Sequence, residues 1–277
     1  STQGVSSAAS DVYKRQVADV SAMGSVMIPM MKREGYHADY AVNVTTHAAL
    51  VGALMPTSHN IIIYTLAAGG KVSIAALIAA GVIPALILTL CNLAAAYFVA
   101  RSRGYPAGTF PGWAIVGRSL VAATPGLFVV VLIIAGILSG VFTATESAAV
   151  AVLYALALTI FVYRSLTWDQ FVRAASKAVK TTGVVLLLIG ISATFGYLIS
   201  FYGVAEKTGE LMASVSTSPW AIFLMVNVIL FVLGTFLDMA ATILICTPIF
   251  LPICMQYGMG PVQFGIVMLL NLSLIHI

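Results

Sequence analysis

From Val72 to Val99 the chain runs without a single Asp, Glu, Lys or Arg, and few folds admit such a stretch. An α-helix needs about 20 apolar residues to cross the hydrocarbon core of a bilayer, and this run supplies them. Other apolar stretches of similar character recur along the sequence, and none shows the period-two alternation of a barrel strand. Charged residues make up 8% of the chain and apolar residues 61%, whereas soluble domains carry about 25% charge. The sequence therefore predicts an all-α polytopic membrane protein whose surroundings are a lipid bilayer. Cys91, Cys246 and Cys254 lie in apolar segments without a CxxC or Cys/His cluster, so they read as small buried hydrophobes rather than metal ligands. The net charge of +4 resides in a few loops, where it serves orientation and gives no reason to expect nucleic acid as a partner.

The two ends read differently from the rest. Ser6 to Gln16, SSAASDVYKRQ, and Leu272 to Ile277, LSLIHI, match the translated strands of a sequencing adapter, so residues 1–16 and 272–277 are expected to be non-native. A basic targeting peptide is the other reading of the first, but no apolar stretch follows Lys14 and Arg15. Val17 to Met31, with Asp19 and Pro29, is too short and interrupted for a span and fits a re-entrant hairpin leg. Ala38 to Ala68 is broken in its middle by Gly52, Pro56, Thr57, Ser58, His59 and Asn60. Val72 to Val99 is a long span, and Gly104 to Trp113 a loop. Ala114 to Ala123 reads as a short interfacial helix before Pro125, followed by spans Gly126 to Ser139 and Ser147 to Tyr163.

Thr143 to Glu146 and Thr167 to Gln170 each match a capping box. The second opens an amphipathic stretch with Arg173, Lys177 and Lys180 that is expected to lie at the membrane surface. Thr182 to Tyr202 is a further span in which Gly183, Gly190 and Gly196 suit close helix contact. Val204 to Ser218 reads as an external amphipathic segment. Trp220 to Leu233 and Ala240 to Cys254 are two legs about Asp238, and Phe264 begins a last span. Lys32 and Arg33, the Arg101 to Arg118 region and the Arg164 to Lys180 region hold nearly all the basic residues, which places these three on the cytoplasmic side.

An internal repeat organises these pieces. Ile28-Pro29, Gly35 and Tyr40-Ala41-Val42 recur as Leu251-Pro252, Gly258 and Phe264-Gly265-Ile266, each copy after an acid, Asp19 or Asp238. The charge pattern puts the first copy inside and the second outside, the arrangement of inverted-topology transporters with broken helices at the midplane. A discontinuous helix leaves free carbonyls and free amides, which suit a cation and an anionic group. At the first break Gly52 and Pro56 interrupt the ladder, while Thr57, Ser58 and Asn60 offer hard oxygens of the kind a sodium ion takes. A proline kink healed by hydroxyls is the plain alternative, and His59 reads as hydrogen-bonded filler rather than a proton relay. Gly234, Thr235, Asp238 and Thr242 form the tip of the second hairpin, where Asp238 is a helix cap, a ligand neighbour, or both. Asn271 stands where a second broken helix begins.

These stretches resemble the large membrane subunit of tripartite ATP-independent periplasmic transporters, the DctM-like family. The matching segments are VADVSAMGSVMIPMMKREGY (17–36), KVSIAALIAAGVIPAL (71–86), GILSGVFTATESAAVAVLYAL (136–156) and FLDMAATILICTPIFLPICMQYGMGPVQFGIVMLLNL (236–272). The resemblance implies a sodium-driven elevator in the inner membrane, not an enzyme. Its expected partners are a small DctQ-like membrane subunit and an extracytoplasmic binding protein that delivers a dicarboxylate or acidic sugar. It further implies that residues 17–68 hold part of the inward hairpin and the first break, that 219–271 hold the outward hairpin and the start of the second break, and that 69–218 form scaffold and arm helices. Two departures from the family pattern lie beside the expected sites. GALMPTS (52–58) stands for GPIIPPS, and Asp238-Met239-Ala240-Ala241 for DPTA. The family's second break, expected past Asn271, is not legible, so this segment alone is expected to be inactive in transport. A divalent-anion/sodium symporter that needs no binding protein is the alternative within transporters. A GxGD aspartyl protease fails on its motif, since Phe236-Leu237 precede Asp238. A channel fits repeated broken helices less well.

Overall fold

A computed structural model describes residues 23–52, 54, 58–70, 72–106 and 112–276, all of its regular structure helical. In chain order the helices are α1 (23–33), α2 (Ala38–Gly52), α3 (His59–Ala67), α4 (Ile74–Ser102), α5 (Trp113–Leu138), α6 (Ala144–Ala157, continued by a π turn at Leu158–Val162), α7 (Trp168–Phe201), α8 (Val204–Val215), α9 (Pro219–Phe236), α10 (Met239–Gln256) and α11 (Pro261–His276). The chain divides into two compact units, 1–103 with 181–277, and 104–180. Among the described residues six helices are long and apolar enough to cross a membrane: α4, α5, α6 with its π turn, α7, α9 and α10.

In the first unit α10 is the organising element. It packs against α3, α8, α9 and α11, and it is the most buried of the long apolar helices. Ile243, Cys246, Thr247, Ile253 and Cys254 along it are all at most 1% exposed. Both Pro248 and Pro252 sit inside it. Each proline withdraws one donor from the ladder, a loss that membrane helices tolerate where neighbours and hydroxyls compensate. Thr247 donates back to the Ile243 carbonyl at 2.6 Å.

The internal repeat is realised as local geometry. At the end of α1 the Tyr36 amide bonds the Met31 carbonyl and the Gly35 amide bonds Lys32, with Gly35 at φ 89°. At the end of α10 Met259 bonds Cys254 and Gly258 bonds Met255, with Gly258 at φ 90°. Both are Schellman caps, which need a residue at positive φ and therefore a glycine. The following helices start at Ala38 and Pro261, equally spaced from their glycines. That register sets Phe264 against Ala41, both buried, one position away from the Tyr40 pairing expected from the sequence. Asp19 lies outside the described residues.

Along α2 and α4 three polar ties hold the pair. Tyr40 donates to the Ala96 carbonyl at 2.9 Å, Asn92 to the His47 carbonyl at 3.2 Å, and Arg103 to Asp39 at 2.6 Å. The Arg103 hydrogen bond, backed by the Tyr40 amide, holds the Asp39 carboxyl below its usual range.

In the second unit α5 packs on α6. The expected boundary at Pro125 is not there, since α5 runs unbroken from Trp113 to Leu138 with Pro125 inside it. Pro125 withdraws one donor from the ladder, a loss that membrane helices tolerate; beside it the Thr124 hydroxyl bonds the Leu120 carbonyl at 2.8 Å and Tyr154 donates to the Pro125 carbonyl at 3.1 Å. The Thr143 capping box forms in both directions, at 2.8 and 3.3 Å, and the Thr167–Gln170 box likewise at 3.0 and 3.3 Å. α7 also departs from expectation. It is one helix from Trp168 to Phe201, with no separate surface segment, because Thr181, Thr182 and Gly183 carry only mild propensity costs and no proline. A side-chain carbon at Gly183, Gly190 or Gly196 would meet no atom within 4 Å, so the close contact expected there is not made among the described residues.

Candidate functional site

The start of α3 and the turn between α9 and α10 meet, with Asn60 against Met239. α9 and α10 are joined by Leu237 and Asp238 alone. Asp238 is in extended backbone (ψ 151°) and caps α10, its carboxylate accepting from the Ala240 amide at 3.1 Å. The Thr242 hydroxyl and amide both donate to the Asp238 carbonyl at 2.9 Å, which fixes the turn. Cap and half-buried acid thus coincide in one residue. Asp238 is also the one Asp, Glu, Lys or Arg between Leu211 and Ile277.

From the other side α3 begins at Ser58, in extended backbone and with no side-chain capping bond. Asn60, one position into the helix, is 4% exposed, and its amide Nδ2 donates to Met239 Sδ at 3.2 Å. The Asn60 Oδ1 is buried without a partner among the described residues. A thioether is a weak acceptor, and exchanging the two amide ends would only leave the NH₂ unmatched instead. A buried unmade hydrogen bond costs about 1–3 kcal/mol, which makes this oxygen a candidate ligand atom. With one carboxylate, one orphan amide oxygen and the Ser58 hydroxyl close in sequence to it, and no Lys or Arg on α3, α9, α10 or α11, the junction suits a hard cation. The described residues contain no group of three His, Cys, Asp or Glu placed to hold a metal.

The other expected residues divide. Pro56 and Thr57 lie outside the described residues. Gly52 ends α2, is exposed, and crowds nothing. His59 is exposed. Thr235 is exposed too, its hydroxyl spent on the Phe231 and Val232 carbonyls of its own helix, so it does not join the tip cluster. Gly234 is buried against α11, where a side-chain carbon would stand 2.8 Å from Ile275 Cδ1 and 2.9 Å from Leu272 Cδ2. Asn271 does not reach the tip; its amide donates to the Asn227 carbonyl and Oδ1 at 3.1 and 3.0 Å, tying α11 to α9.

Three residues that sequence reasoning passed over tie the surrounding helices together. Asn227 is one, and a lone amide inside an apolar helix was its available signal. Gly81 lets α4 approach the break, since a side-chain carbon there would stand 3.2 Å from the Leu54 carbonyl oxygen. Tyr64, fully buried, donates to the Pro261 carbonyl at 2.5 Å with its ring over Gly265. Nothing in the local sequence marks either of these last two.

Residues 15–277 match the family model of the tripartite ATP-independent periplasmic transporter, DctM component. Over 258 residues the chain is 37% identical to the uncharacterized protein YgiK of Salmonella typhimurium, covering 93% of this chain and 59% of that one. It is 34% identical over 258 residues to the sialic acid TRAP transporter large permease protein SiaM of Vibrio cholerae, at 93% and 60% coverage. It is 33% identical over 260 residues to the C4-dicarboxylate TRAP transporter large permease protein DctM of Pseudomonas aeruginosa, again at 93% and 60%. The chain thus spans about three fifths of the length of these relatives. Those with named activities are transport permeases, not enzymes. By the family match and its apolar helices the chain is a multi-pass inner-membrane protein, and it belongs to the DctM family of tripartite ATP-independent periplasmic transporter permeases.

Proposed function

We propose that this chain is the core of a sodium-coupled secondary transporter that takes up a small organic acid, of the dicarboxylate or acidic-sugar class. An extracytoplasmic binding protein delivers the substrate, and a small DctQ-like membrane subunit stands beside the permease. The substrate class is drawn from the relatives named for sialic acid and C4-dicarboxylates, and the partners from the tripartite family. The observation that carries the ion assignment is the orphan Asn60 oxygen held against the Asp238 hairpin tip. In this reading Asn60 Oδ1, the Ser58 hydroxyl and the Asp238 carboxylate hold the coupling ion, and helix-terminal amides hold the substrate carboxylate. The α9–α10 pair acts as a re-entrant hairpin in a mobile elevator domain. Each of its legs has 18 residues, about 27 Å of helix, so length alone does not separate a hairpin from two spans.

Ion binding drives uptake only if it raises substrate affinity, and the reverse follows by linkage. The test is uptake of labelled substrate by proteoliposomes holding the complete permease, small subunit and binding protein, with and without an inward sodium gradient. Uptake is expected to require the gradient. Asn60→Leu should raise the half-saturating sodium concentration about tenfold, the equivalent of about 1.4 kcal/mol. Asp238→Asn, which keeps a good cap, should do the same without loss of thermal stability. Uptake indifferent to sodium, or unchanged ion affinity in both variants, would refute the assignment.

A further inference from the structure

α3 has nine residues, about two and a half turns, and neither of its ends fixes how it lies against its neighbours. Ser58 makes no side-chain capping bond at its start. The bonds that close its last turn, from Ala68 to Tyr64 and from Gly70 to Thr65, stay within the segment. Its orientation therefore comes from the flank it packs on α10 and α11.

Asn60 and Tyr64 are four residues apart and share one face of α3, and both are buried. Their hydrogen bonds run to opposite ends of α10. Asn60 donates from Nδ2 to Sδ of Met239, the first residue of that helix, at 3.2 Å. The Tyr64 hydroxyl donates to the carbonyl of Pro261, which opens α11 just past the other end of α10, at 2.5 Å. The two bonds are unequal in strength. A thioether is a weak acceptor, whereas a hydroxyl–carbonyl bond gains strength in low-dielectric surroundings. The Tyr64 ring is held as well, 6.3 Å from the Phe264 ring and so close over Gly265 that a side-chain carbon there would collide with it. Tyr64 thus determines where α3 sits on α10, and Asn60, one turn earlier on the same face, is carried with it. A rotation of α3 by one residue, about 100°, would turn the Asn60 amide away from the α9–α10 turn.

We infer that Tyr64 is a positioning residue for the ion site: its bond to Pro261 fixes α3 so that the orphan Asn60 Oδ1 is presented at the turn capped by Asp238. This rests on the ion assignment proposed above, and adds that a side chain bonded beyond the far end of α10 sets the affinity of that site without touching the ion.

The test is the rise in thermal midpoint of the purified complete permease, with its small subunit, as sodium chloride replaces choline chloride at constant ionic strength. A ligand that binds the folded state raises the midpoint in proportion to its affinity, so the titration yields an apparent sodium affinity and needs no substrate. Four forms are compared: the parent, Tyr64→Phe, Asn60→Leu and the double variant. Phenylalanine keeps the ring against Phe264 and Gly265 and removes only the hydroxyl. Tyr64→Phe is expected to need about threefold to fivefold more sodium for the same rise, the scale of one hydrogen bond. In the Asn60→Leu background the same change is expected to add nothing, because the group it positions is gone. A merely structural tie would lower the sodium-free midpoint and leave the sodium affinity unmoved, and that result would overturn the inference. An equal loss of affinity in both backgrounds would overturn it too. Either outcome leaves the ion assignment standing as long as Asn60→Leu weakens sodium binding by itself. No sodium-dependent rise in the parent, or an unchanged affinity in Asn60→Leu, would remove Asn60 from the ion site and this inference with it.

Discussion

Replacing Gly265 with Ala tests whether α3 and α11 pack as closely as the structure shows. A methyl carbon at 265 would fall deep inside van der Waals contact with Tyr64 Cε1 and stand 2.9 Å from Cδ1 and Cζ. The Tyr64 ring has no free direction to move, being fully buried and held by its hydroxyl to the Pro261 carbonyl. Overpacking of this kind costs about 1–3 kcal/mol, and swinging the ring away forfeits a hydrogen bond worth about 1 kcal/mol. Against this, Gly to Ala inside a helix returns up to about 1 kcal/mol. A net loss of about 2 kcal/mol is expected, or on the order of 5 °C in Tm for a chain of this size. Cys246 and Cys254 are buried and report unfolding through a thiol-reactive fluorophore once the exposed Cys91 is replaced by Ser. The decisive comparison is the same substitution in a Tyr64→Leu background, where the space is free and Gly265→Ala should be neutral or stabilising. Equal losses in the two backgrounds, or no loss in the parent, would refute the packing of Tyr64 on Gly265.

The tie between Asp39 and Arg103 should make stability depend on pH in one direction. Because the folded carboxyl is held below its usual range, its contribution is complete above the unfolded carboxylate pKa and fades as pH falls through the lowered value; Asp39→Asn should therefore lower the thermal midpoint slightly at neutral pH, leave it unchanged in acid below the lowered value, and so flatten that part of the pH dependence. Thr143→Ala should cost about 1 kcal/mol by opening the capping box at the start of α6, read as a lower Tm, with Thr143→Ser recovering most of it.

How much of this was legible beforehand differs from residue to residue. Both capping boxes, the break between Gly52 and His59, the cap at Asp238 and the twin Gly35 and Gly258 turns follow from local chemistry, since each depends on bonds or dihedrals within about six residues of chain. Pro125 and the Thr182 region misled the reading for a complementary reason. Local propensity says a helix weakens there, but one lost hydrogen bond in an apolar solvent does not end a helix whose remaining ladder is intact, and the Pro125 carbonyl is tied to α6 through Tyr154. Thr235 and Asn271 carry the right atoms for the expected site, and only the helix faces on which they lie divert them to their own carbonyls or to Asn227.

Sequence alone determined that this chain belongs in a bilayer as helices, and where those with a capping box or a glycine stop begin and end, because an apolar solvent leaves the backbone no alternative and caps are read at short range. Tertiary structure alone decided which polar atoms meet. Asn60 and Met239 lie 179 positions apart, and Tyr64 and Pro261 lie 197 apart. No local rule couples them, since their encounter is set by how α3, α10 and α11 pack and by the glycines that let them close.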